Sequence, residues 1–97
     1  MGKSLNLNSV EDTSLYRLDV RSSIYELIEI IDFSLDNCSG LFYKNNKRIM
    51  KDEWQLIRAH WVDKTSPAKF MLKTELGFTL REDYFLVYLK FKGILFE

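Results

Sequence analysis

Between Tyr84 and Lys92, YFLVYLKFK, apolar and polar positions alternate. Phe85, Val87, Leu89 and Phe91 share one side, and Tyr84, Leu86, Tyr88, Lys90 and Lys92 the other. A period of two with one wholly apolar side predicts a β-strand, and this strand is read as the one on which the core is built. Its outer side, with Tyr84, Leu86 and Tyr88, is less polar than a solvated face, so something covers it: a helix, the chain's own tail, or a second chain. A longer alternation precedes it. From Ala68 the even positions are Ala68, Phe70, Leu72, Thr74, Leu76, Phe78 and Leu80, against Lys69, Met71, Lys73, Glu75, Gly77, Thr79 and Arg81. Fully extended, this segment would span about 40 Å at roughly 3.3 Å per residue, longer than a compact domain of this size is wide. It is expected to bend or split at Gly77. Arg81-Glu82-Asp83 then turns the chain into the next strand, and Gly93 ends that strand, leaving Ile94-Leu95-Phe96 as an apolar tail.

Upstream, Ser14 to Val20 alternates too and predicts a short strand facing inward with Tyr16, Leu18 and Val20. The helical period appears next. Ser23-Ile24-Tyr25-Glu26 has the form of a capping box, and Ile24, Leu27, Ile28, Ile31 and Leu35 follow as one apolar stripe. Asn37 to Gly40 supplies the stop, with Gly40 near the left-handed cap position. Leu41-Phe42-Tyr43 and Arg48-Ile49-Met50 flank Lys44-Asn45-Asn46-Lys47, whose two asparagines suit a tight hairpin. Residues 52–63, DEWQLIRAHWVD, fit two patterns: Trp54, Ile57 and Trp61 would share a helix face, while the Trp, Ile and Val content and the following Lys64-Thr65-Ser66-Pro67 turn favour a strand, which is the preferred reading.

Strand, helix and a run of antiparallel strands make an α+β domain, one amphipathic helix on a curved, mainly antiparallel sheet. That order resembles the cystatin-type wrap in topology, without any of that family's motifs. Residues 1–97 read as a single domain, with 1–13 a loose N-terminal arm and no repeat or linker. A chain of 97 residues can bury enough surface for a core without staples. The single cysteine, Cys38, closes no intrachain disulfide, no apolar run approaches a membrane span and no leader is evident, so a cytoplasmic protein without membrane partners is expected.

Net charge is zero but divided: residues 1–43 carry three basic and seven acidic side chains, and residues 44–97 eleven basic and seven acidic. On the helix, Glu29, Asp32 and Asp36 lie within about 60° of one another with Glu26 at the margin, and no Lys or Arg occurs from Ser22 to Tyr43. The bland reading is a solvated helix face balanced by the basic half. The sharper one is a face that docks on a basic protein such as a nuclease toxin, with Trp54 and Trp61 as aromatic anchors. A second class is single-stranded RNA binding by the hairpin, where Phe42, Tyr43, Lys44, Lys47, Arg48 and Lys51 interleave cations with rings. His60 and Cys38 are the only members of their kinds. They read as a half-buried strand residue and a small hydrophobe rather than as a catalytic pair, and no cofactor or metal motif is present. The sequence therefore ranks a non-enzymatic protein-binding inhibitor, of the immunity or antitoxin kind, ahead of an RNA-binding module.

Overall fold

The computed structural model describes residues 15–64 and 71–95. The elements run β1 (Tyr16–Ser22), α1 (Ile24–Asn37), β2 (Phe42–Lys44), β3 (Lys47–Arg48), α2 (Lys51–Lys64), β4 (Leu72–Phe78) and α3 (Arg81–Leu95). The four strands form one open sheet in the order β1-β4-β2-β3, with every neighbouring pair antiparallel. The α+β class and the strand-helix-strands order hold, with two helices where strands were expected. The expectations for the arm at 1–13, the Ser66-Pro67 turn and the Ala68–Phe70 start of the long alternation lie outside the described residues.

The middle of the sheet is β4, not the 84–92 segment. Leu18 faces Leu76 and Val20 faces Thr74 across β1 and β4, and Phe42 faces Phe78 across β2 and β4. All six side chains are buried. Cross-strand partners share a face, so this is the face turned to the core. Tyr16, expected to point inward with Leu18 and Val20, is exposed at the far end of β1. β4 runs through Gly77 without a break in pairing, opposite Arg17 and Tyr43. A Cβ at Gly77 would stand 2.7 Å from Leu15 Cδ1 and 3.4 Å from the Tyr43 Cβ. Glycine is there for closeness, not for a bend.

α1 forms as its cap dictates. The Ser23 hydroxyl accepts from the Glu26 amide at 3.2 Å, and Glu26 Oε1 accepts from the Ser23 amide at 3.0 Å. Such a cap stabilises a helix by about 1 kcal/mol. The stripe buries Leu27, Ile28 and Ile31 together with Ile30 and Ser34. The stop differs from expectation: Cys38 caps the helix in an extended conformation, and none of the described glycines has a positive φ. Gly40 matters for another reason. A Cβ there would meet Thr79 Oγ1 at 2.5 Å and Leu80 Cγ at 2.8 Å.

The hairpin follows the asparagines. Asn45 and Asn46 take φ values of 51° and 68°, the left-handed pair that a two-residue turn between twisted strands requires. The strands close down to Lys44 and Lys47, so the turn is two residues rather than four.

Two segments expected as strands are helices. In α2, Trp54 is buried, Ile57 and Trp61 pack on the core at helical spacing, and the Trp54 and Trp61 rings meet edge to face at 5.2 Å. In α3, Tyr84, Val87, Tyr88 and Phe91 fall at i, i+3, i+4 and i+7 and turn inward, with Val87 and Phe91 buried. Phe85 and Leu89, assigned to the inner side of a strand, point outward. The run is so uniformly apolar that it satisfies both periods. Acidic residues in the first turn, Glu82 and Asp83, and Lys92 in the last suit a helix dipole. The helix breaks its regular geometry at Phe91, with φ −115° and ψ 16°. That ring stays in the core, edge to face with Phe33 at 5.4 Å.

Candidate functional site

The acidic face of α1 is partly paired with the molecule's own cations. Asp32 Oδ1 accepts from Trp54 Nε1 at 2.8 Å and from Arg58 Nε at 3.1 Å, and Oδ2 accepts from the same Arg58 nitrogen at 2.9 Å. Asp36 pairs with Lys51 at 3.0 Å, and Glu26 is engaged in the cap. Glu29 is left exposed. The residues that meet the face lie along α2, with Lys51 reaching Asp36 and Trp54 and Arg58 reaching Asp32. Two charges of the division read along the chain are thus paired across it at the surface. Trp54 is 1% exposed and cannot anchor a partner, and Trp61 is half-buried, with Lys44 Nζ 5.5 Å from its ring centroid. Trp54 serves the α1–α2 seam, and Trp61 packs beside it toward the hairpin, sharing a hollow with Lys44, Lys47 and Ile49.

The hairpin loses its stacking platform in the same way. Phe42 packs on Phe78 at 5.5 Å between centroids, and Tyr43 is 0% exposed. Burial lowers the Lys44 pKa, with Lys47 adding to the shift, while burial raises that of the Tyr43 phenol against the pull of Arg48. Arg48 is half-buried and Lys51 is held by Asp36, so Lys47 is the exposed cation at the tip. A hairpin whose rings are inside offers no base a surface to stack on.

His60 and Cys38 line different hollows, His60 with Arg58, Ala59 and Val62, and Cys38 with Ser34, Gly40 and Ile49 among others. Burial, and then the Asp83 carboxylate, push the Cys38 thiol up to about 12. That is opposite to what an activated nucleophile needs. Among the described residues no three His, Cys, Asp or Glu side chains stand together as a metal site, and no helix is long and apolar enough to cross a membrane.

Two further surfaces stand out, the second sharing Leu86 with the side of the 84–92 segment that the sequence reading expected to be covered. The first is the polar face of β1 and β4. Arg17 Nη1 donates to Asn46 Oδ1 at 2.8 Å and to Glu75 Oε1 at 2.9 Å. Asn45 exchanges two bonds with the Glu75 backbone, its amide donating at 2.7 Å and its Oδ1 accepting at 3.0 Å. A hollow of about 620 Å³ runs over this face, lined by Arg17, Asp19, Arg21, Lys73 and Glu75 among others. Asp19 stands opposite Glu75 and Arg21 opposite Lys73, like charges facing across the ladder. Such pairs are unfavourable, so this face is held together by the Arg17–Glu75 diagonal and by the asparagines.

The second is the outer side of α3. Phe85, Leu86 and Leu89 are 43%, 40% and 62% exposed, directly behind the side that buries Val87 and Phe91. The helix carrying them is firmly seated. Asp83, buried in its first turn, accepts from the Ser39 amide at 3.1 Å and the Gly40 amide at 2.8 Å. Tyr84 and Tyr88 stack at 6.2 Å with 14° between planes, and the Arg81 guanidinium lies 5.6 Å from the Phe85 ring centroid. The sequence signal was present as an apolar pattern continuing around the helix; read as a strand, the segment put Phe85 and Leu89 inside. No protein-family model, curated protein or solved structure matches this chain.

Proposed function

We propose that the protein is a small protein-binding module, in keeping with the inhibitor class suggested by its size and composition, and that it docks through α3 rather than through the acidic face of α1. The observation that carries this reading is an apolar cluster on the outer side of a seated helix, with Phe85, Leu86 and Leu89 exposed between the charged residues at its two ends. An amphipathic surface helix shows water a polar side, so a contiguous apolar cluster within that side marks a surface that is covered. Two leucines and a phenylalanine on one rigid element are the sort of cluster from which interface cores are made.

A basic nuclease as partner loses its main support, because Asp32 and Asp36 already have Arg58 and Lys51. Of the immunity or antitoxin idea, the general part is retained: a compact chain acting by protein–protein contact.

The test compares two variants in capture experiments from the native host. Leu86→Asp/Leu89→Asp should abolish recovery of whatever partner the unaltered chain retains, while Glu29→Gln/Asp36→Asn leaves it unchanged. Loss with the acidic variant and retention with the α3 variant would return the docking surface to α1.

A further inference from the structure

We infer that the occupant of the α3 stripe is a second copy of this chain, with the two α3 helices packed antiparallel about a two-fold axis beside residue 87; this rests on the reading of α3 as a docking surface. A two-fold interface must be complementary to itself, each residue on one side of the axis meeting its counterpart on the other. The stripe has that property. At about 100° per residue, Glu82, Phe85 and Leu89 lie along one side of α3, with Leu86 at its flank and the exposed Lys92 one residue past the break at Phe91. Reversed about residue 87, Phe85 of one copy falls on Leu89 of the other, and Glu82 falls on Lys92. The acid is at the start of the helix and the base near its end, with the apolar residues between.

The surroundings agree. Glu82, Lys92 and Gly93 are exposed, and among the described residues a Cβ on Gly93 would meet nothing within 4 Å. Arg81, on the other flank, is drawn over its own Phe85 ring, and Lys90 Nζ lies 5.5 Å from the Phe33 ring centroid. Antiparallel packing also sets the positive end of each helix dipole beside the negative end of the other. One helix face is a small interface, so the association belongs at the weak, micromolar end of the range and is read by titrating concentration.

Sedimentation equilibrium of the full chain should show the mass rising from 11.6 kDa toward about twice that value with concentration. Leu89→Asp, at a solvent-exposed position, should hold it at the monomer mass with an unchanged circular dichroism spectrum. Glu82→Lys and Lys92→Glu should each weaken the dimer at least several-fold, and the double swap should restore it. A double swap no better than either single change overturns the antiparallel register. A chain monomeric at every concentration, in which Leu86→Asp/Leu89→Asp still abolishes partner capture, overturns the second copy and leaves α3 as a surface for another protein. If that variant alters neither mass nor capture, both readings fall.

Discussion

Asp83 Oδ2 accepts a 2.8 Å hydrogen bond from the amide of Gly40, 43 residues away in the chain, and so ties the first turn of α3 to the loop that follows α1. Its other oxygen takes the Ser39 amide. The carboxylate is buried, so removing it leaves two backbone donors without their charged acceptor. Asp83→Ala should cost about 2–4 kcal/mol and Asp83→Asn, which keeps one acceptor, about half as much. Urea unfolding checks this: the midpoint falls while the slope is unchanged. A midpoint within error of the parent would mean that the contact does not hold α3.

Asp32 joins Trp54 and Arg58, but the two bonds are unequal in worth. The indole N–H sits on a buried ring, so Asp32→Ala should cost about 1–3 kcal/mol through the donor it strands. The Arg58 side chain is 41% exposed, and Arg58→Ala should cost less than about 1 kcal/mol. Thermal unfolding of the two variants side by side decides it, and equal losses would show that the ion pair, not the indole, is what matters.

Two glycines should respond in opposite directions. Gly40→Ala drives a methyl to 2.5 Å from Thr79 Oγ1, which already accepts from the Leu41 amide, and to 2.8 Å from Leu80 Cγ. A loss of about 1–3 kcal/mol is expected. Gly93→Ala meets nothing within 4 Å inside a helix and should gain up to about 1 kcal/mol. Chemical denaturation of both proteins is the check, and a neutral Gly40→Ala would mean that the loop yields freely.

Cys38 sets an alkaline limit. Its thiol is pushed up to about 12 from an ordinary 9.0, so the folded state favours the protonated form. The stabilisation is fully present below pH 9, where the unfolded thiol is also protonated, and is lost as pH climbs from there toward 12. At pH 9.0, the ordinary value for the thiol, the native protein should react with a thiol reagent far more slowly than the urea-unfolded chain. Cys38→Ser should flatten part of the alkaline decline in stability. Equal native and unfolded reaction rates would refute the shift.

How far the fold was legible varies with how many signals agreed. At Ser23 to Leu35 a cap and a stripe pointed to the same helix, and at Asn45-Asn46 the turn chemistry left one choice. The even positions from Leu72 to Phe78 identified the inner face of β4 correctly. At Tyr84 to Phe91 almost every residue is apolar, so period alone carries little information, and the acids at 82 and 83 suit a turn as well as a helix start. The misreading at 52–63 also reached the site. As a helix, that segment lines up Lys51, Trp54 and Arg58 along α1 and brings them to Asp36 and Asp32. As a strand it left the carboxylates looking unanswered.

The central place of β4 also bears on how the chain is made. β1 and β2 find their shared neighbour only in residues 72–78, so a nascent chain emerging from the ribosome has α1 and a hairpin long before it has a sheet. Until then Leu18, Val20 and Phe42 have no strand to face across. Closure between segments so far apart in sequence is slow, and the unfinished chain offers its apolar strands to whatever chaperone or neighbour arrives first.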